Sequence, residues 1–135
     1  MATQEPTPVP LEVVKAAYTA LAARDLAAFV ELCHPDVVLT QDPALPWGGR
    51  HVGADGIAEF ALALVGAIDS TVTPAALFQA GHQVIQFGRT AGTVRSSGAS
   101  FDIPECHVWT VAQVRVSEVA FFIDTAAMLS ALNDA

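Results

Sequence analysis

Apolar side chains recur every three to four residues through the first half of this chain and every second residue through much of the rest. Leu11, Val14, Tyr18 and Leu21 fall on one stripe, which predicts a helix over residues 10 to about 24. Asp25 is placed to cap a second short helix, "LAAFVELC", ending near His34-Pro35. "DVVLTQ" then predicts a short strand, the Gly/Pro-rich run from Asp42 to Gly53 a loop, and "ADGIAEFALALVGAI" a third helix. Beyond Asp69, segments rich in Val, Phe, Thr and Ile lie between turn signals at Gly81-His82, Gly92 and "SSGAS". They predict strands near 70–80, 83–94, 101–112 and 115–123. "TAAMLSAL", behind the capping residue Asp124, predicts a final helix.

This order suits an α+β fold with helices packed on one face of a curved antiparallel sheet. The 135 residues are enough for one domain with a real core. Residues 1–9 read as a Pro-rich disordered lead-in and residues 10–135 as the domain, with no internal repeat.

Composition adds a constraint. Hydrophobic residues make up 53% and charged residues only 15%, an excess that must line a subunit interface or an internal cavity. No apolar run reaches the roughly 18 residues of a membrane span. The start, "MATQEPTPVP", lacks the marks of a signal peptide, so a cytoplasmic location is expected. Net charge is −8, and the six basic residues are scattered singly, which argues against nucleic-acid binding. Cys33 and Cys106 show no metal spacing and read as free thiols. No cofactor or metal is implied.

Strand alternation sends Glu105, His107 and Trp109 to one face and Cys106 and Val108 to the other. A Glu/His/Trp face suits a pocket lining or a subunit contact better than a featureless core. Asp42 precedes a proline, so it reads either as a turn initiator or as a carboxylate on an apolar rim. Asp124 reads as a helix cap or as a second acid at a cavity mouth. Trp47 reads as a pocket wall, and His51, on the same loop, as a solvated residue or one reaching over a ligand.

The segment "AAYTALAARDLAAFVELCHPDVVLTQDP" resembles the opening of the nuclear-transport-factor-2-like superfamily. "GRHVGADGIAEF" and "HVWTVAQVRVSEVAFFIDTAAMLSAL" resemble its SnoaL-like and ketosteroid-isomerase-like members. The resemblance covers about residues 11 to 132. It implies a cone-shaped α+β barrel: a curved antiparallel sheet wrapped on three N-terminal helices, a short C-terminal helix and an apolar pocket. A homodimer through the outer sheet face is expected with it. Residue by residue, Asp42 in "QDP" matches the isomerases' proton-shuttling aspartate, given one extra residue in the preceding loop. His107 stands where their protonated oxyanion-hole aspartate would be. Tyr18 falls one residue from the matching tyrosine, a turn of roughly 100° about a helix. In the polyketide cyclase SnoaL a histidine on this strand matches His107, while its acid/base aspartate falls at Phe121. The Asp-Arg-Asp set of limonene epoxide hydrolases is not evident.

Together these features predict a cofactor-independent acid/base enzyme, of isomerase or cyclase type, acting on a small, mostly apolar, carbonyl-bearing molecule. Asp42 is the expected base, His107 the donor to the enolate oxygen and Asp124 a second acid. Tyr18, Trp47, His51, Phe60, Glu105, Trp109 and Phe121 are expected around the pocket. The alternatives are an epoxide hydrolase or dehydratase, a non-catalytic small-molecule binder, and a dimerisation module whose pocket Phe121 and Phe60 close. A cavity under about 100 Å3, against the ~300 Å3 of ordinary ligand sites, would favour the last.

Overall fold

The computed structural model describes residues 9–133; the expected disordered lead-in lies almost wholly outside the described residues. Helix α1 (Pro10–Ala22) starts with proline in its first turn and buries Val13, Val14, Ala17 and Ala20. Asp25 caps α2 (Leu26–Glu31) by accepting a hydrogen bond from the Ala28 N–H at 3.0 Å. This helix stops two residues short of the predicted end, because Cys33 already belongs to strand β1 (Cys33–Gln41). Strand β2 (Gly49–Val52) runs antiparallel to β1, where the sequence predicts only loop. Its four residues are too few to show a period. Helix α3 (Gly53–Ala67) is followed directly by β3 (Ile68–Ala80), β4 (Gln83–Val94), β5 (Ser100–Ala112) and β6 (Arg115–Ile123). Helix α4 (Thr125–Leu132) closes the described chain.

The six strands form one sheet in the order β2-β1-β6-β5-β4-β3, unclosed, with β2 and β3 as its edges. One feature corrects the expected antiparallel sheet: β1 pairs with β6 in parallel. The first strand and the last meander strand run the same way, a non-local pairing that no local pattern signals. Register shifts interrupt the β1/β6, β3/β4 and β5/β6 ladders, and such bulges bend strands and curve the sheet. Along β5, Phe101, Ile103, Glu105, His107, Trp109 and Val111 are all buried on the concave side, which the helices cover. The outward face, where a second copy is expected, exposes Phe78, Phe87 and Phe122.

The β5–β6 turn is strained. Gln113 (φ 50°) and Val114 (φ 61°) both take left-handed backbone, and Val114 is β-branched. The Asp42–Gly48 loop is tight for a different reason. Leu45 N–H bonds to Asp42 O at 3.1 Å and Gly48 N–H to Leu45 O at 2.9 Å. A Cβ at Gly48 would lie 1.8 Å from Asp42 O, so only glycine fits.

Candidate active site

Between the concave face and the helices lies a cavity of about 480 Å3. Its lining is mainly apolar, with Trp47, Phe60, Phe121, Ile123 and Met128 among the walls, and Tyr18, Gln41, Thr90 and His107 as polar points. Arg24, Ser70 and Thr71 also line it.

The polar end is built from α1, β4 and β5. Trp109 Nε1 lies 2.9 Å and Gln86 Nε2 3.0 Å from the Tyr18 hydroxyl oxygen, and His107 Nδ1 lies 2.7 Å away. An indole N–H and an amide N–H can only donate. They occupy both lone pairs of the phenol oxygen, so Tyr18 O–H donates to His107 Nδ1. That assigns the proton of neutral His107 to Nε2, which donates to Glu105 Oε2 at 2.5 Å. Gln86 Nε2 also donates to Glu105 Oε1 at 2.9 Å and Oε2 at 3.1 Å. Both Glu105 oxygens therefore act as acceptors, and the side chain is fully buried.

The electrostatics of Tyr18 follow from this packing. Burial pushes its phenol well above the ordinary 10.0, and the hydrogen bonds from Gln86 and Trp109 pull it partly back by favouring the phenolate. Its ring stacks on His107 and meets Trp109 edge-on. The Gln86 carbonyl oxygen is buried without a hydrogen-bond partner among the described residues. Gly88 makes room for it, since a Cβ there would come within 2.7 Å of that oxygen.

The candidates from the sequence separate at this point. Tyr18, Trp47, Phe60, His107 and Phe121 line the cavity, and Glu105 and Trp109 stand directly behind its polar end. Asp42 does not line it. Asp42 is exposed, its Oδ1 accepts from the Ala44 N–H at 2.9 Å, and it borders a neighbouring surface groove that shares Gln41, Phe121 and Ile123 with the cavity. Alternation along β1 explains the placement: Val37 and Leu39 point inward, so Gln41 does too and Asp42 turns out. Asp124 is exposed as well, capping α4 through the Ala127 N–H at 3.0 Å. His51 turns away from the cavity: Nε2 donates to the Trp47 and Gly48 carbonyls at 3.2 and 3.1 Å, and the ring packs edge-on against Phe60.

Several lining residues were not foreseen, among them Thr90, Ile123 and Met128, nor were the two polar residues that matter most here, Gln86 and Gln41. Each of these two had a signal, a polar residue at an inward position of an alternating strand: Val84-Gln86 on β4 and Leu39-Gln41 on β1. Among the described residues, no group of three or more His, Cys, Asp or Glu could hold a metal ion.

The SnoaL-like domain model matches residues 14–119, most of the chain and all the elements that carry the polar end. The chain belongs to the SnoaL-like domain family. It is similar in structure to an NTF2-like protein from Burkholderia thailandensis, with a TM-score of 0.88 and 30% identity over 95% of this chain and 100% of that one. An NTF2-like protein of unknown function from Burkholderia pseudomallei gives 0.87 at 23% identity, again over 95% and 100% of the two chains. A putative SnoaL-like polyketide cyclase from Jannaschia gives 0.83 at 18% identity over 98% and 99%. No curated protein matches the sequence. These likenesses agree with the SnoaL-like fold drawn above: four helices on a curved, unclosed mixed sheet. No described helix is long and apolar enough to cross a membrane.

Proposed function

We propose that this SnoaL-like domain is a cofactor-independent acid/base enzyme that moves a proton next to a carbonyl in a small, mostly apolar molecule, as an isomerase or cyclase does. One observation carries the reading: the Tyr18 oxygen receives two N–H donors and gives its proton to a histidine backed by a buried carboxylate. On substrate entry the Gln86 amide gives up the Tyr18 oxygen for Glu105 and so frees one lone pair. Substrate carbon loses its proton to that lone pair as the Tyr18 proton passes to His107 Nδ1. The C–H electron pair becomes the enolate, and Glu105 offsets the imidazolium charge. Trp109, still donating to the phenol oxygen, stabilises negative charge there while the two transfers are out of step. Reversal at a different carbon gives isomerisation. Attack of the enolate on a second carbonyl, with the stored proton returned to the new alkoxide, gives cyclisation.

The family's putative polyketide cyclases make the second outcome a natural member of this class. A cavity of about 480 Å3 is also far larger than a closed dimerisation module requires. Because Asp42 and Asp124 sit outside the cavity, the proposed proton path uses neither.

The test is deuterium uptake from solvent at the carbon next to the carbonyl, followed by NMR across steroid-like, polyketide-like and terpenoid ketones. The wild type is expected to catalyse exchange on at least one class. Tyr18→Phe and His107→Gln should lose on the order of 100-fold or more of the rate on that ketone, while Asp42→Asn keeps it within about threefold. Loss of exchange in Asp42→Asn with retention in Tyr18→Phe would overturn the assignment, as would no exchange with any class.

A further inference from the structure

Gln41 is a polar point of the cavity, like Thr90, that the proton path leaves unused. Trp47 Nε1 donates to Gln41 Oε1 at 2.9 Å. An indole N–H cannot accept, so the bond fixes which end of the amide is oxygen. Gln41 lines both the cavity and the groove beside Asp42, whereas buried Trp47 lines the cavity alone, so this bond draws the end of the Gln41 side chain toward the cavity. The Gln41 NH2 group then has no hydrogen-bond partner among the described residues. A pre-oriented donor without a protein acceptor among the described residues, on a mainly apolar wall, can anchor an acceptor atom.

Register places this donor relative to the reacting end. Gln41 pairs with Phe121 across β1/β6, and Phe121 pairs with His107 across β6/β5. The three residues form one row over three strands, so Gln41 and His107 are separated by two strand spacings, about 10 Å between their Cα atoms. Phe121 lies between them, and Phe60 stacks on it at 5.7 Å with the rings 24° apart. The wall of stacked Phe60 and Phe121 thus has a donor at one end and the Tyr18–His107 pair at the other, a span of about one ring.

We propose that Gln41 is a specificity-determining residue: it donates to a second acceptor oxygen, so the site selects ring-sized apolar molecules carrying an oxygen function at each end. This deepens, and rests on, the reading of Tyr18 and His107 as the reacting end. Where the oxygen at Gln41 is conjugated through the ring to the carbon at Tyr18, it takes up the electron pair that deprotonation releases. Gln41 then stabilises the product anion as well as the ground state.

The experiment is a titration of the 15N-labelled full chain with 1,4-diacetylbenzene and with 4-ethylacetophenone, which has the same shape but one oxygen fewer. The Gln41 side-chain NH2 signals and the Trp47 indole signal are followed. The diketone should bind roughly three- to tenfold tighter, the value of one neutral hydrogen bond, and should shift the Gln41 NH2 signals more. Gln41→Leu should bring the affinity ratio to about one by weakening only the diketone. Trp47→Phe, which releases the amide from its fixed orientation while Gln41 remains, should lower the ratio too and covers the case of a poorly folded Gln41 variant. A wild-type ratio near one, a ratio that survives Gln41→Leu and Trp47→Phe, or no saturable shift with either probe would overturn the proposal. All of these read binding, so failure of proton transfer appears separately, in the exchange rates of Tyr18→Phe.

Discussion

Tyr18→Phe removes one oxygen atom, and the structure says which neighbour suffers. His107 Nδ1 keeps a donor, because Gln86 Nε2 lies 3.2 Å away. Gln86 Nε2 keeps the Glu105 carboxylate at 2.9 Å. Trp109 keeps nothing: its residue is 0% exposed and Tyr18 is the one partner of its indole N–H among the described residues. A single orphaned buried donor costs about 1–3 kcal/mol, so the expected loss is about 2 kcal/mol. At an unfolding entropy of roughly 2.1 cal/mol/K per residue, that lowers Tm by about 7 °C for a domain of this length. Urea unfolding of a double-mutant cycle isolates the cause. Trp109→Phe carries its own packing cost, but in that background Tyr18→Phe orphans no indole and should cost less than about 1 kcal/mol. The coupling between the two sites is then about 1–1.5 kcal/mol. A Tyr18→Phe loss under about 0.5 kcal/mol, or two losses that add within about 0.3 kcal/mol, would refute the hydrogen-bond assignment.

Two further outcomes follow from other parts of the molecule. Burial raises the Cys33 thiol from 9.0 to about 11 and pushes the Tyr18 phenol upward from 10.0, so in this range the folded state holds protons that the unfolded chain releases. These contributions are whole below pH 9 and are lost as pH rises through 9–11 for Cys33 and from 10 upward for Tyr18. Each group gives a slope of at most about −1.4 kcal/mol per pH unit. Urea midpoints measured from pH 8 to 11 should fall, and less steeply in Cys33→Ala; a flat or rising profile contradicts the burial of both groups. Separately, Val114→Gly should relieve the left-handed strain at φ 61°. It gains a net ~0.5–1 kcal/mol after the added freedom of the unfolded chain, or roughly 2–4 °C in a thermal melt. A lower Tm would mean that the turn is not strained as described.

What was legible in the sequence is whatever depends on neighbours along the chain. The 3.6-residue stripe of Leu11, Val14, Tyr18 and Leu21 gave α1, and the caps Asp25 and Asp124 marked the starts of α2 and α4 where they stand. The two-residue period placed Glu105, His107 and Trp109 together on the inner face of β5. Those signals are local because helix and strand geometry repeat every few residues. The parallel β1–β6 pairing, the edge strand β2 and the union of Tyr18 with His107, 89 residues away, depend on chain segments meeting in space. Asp42 shows the boundary between the two kinds of information. Its proline context and its match to a proton-shuttling aspartate drew attention to the right strand end, but a pleated strand alternates faces and only one side of β1 closes against the helices. Tertiary packing therefore put Gln41 in the cavity and left Asp42 to shape the turn, because one residue along a strand reverses the direction of a side chain.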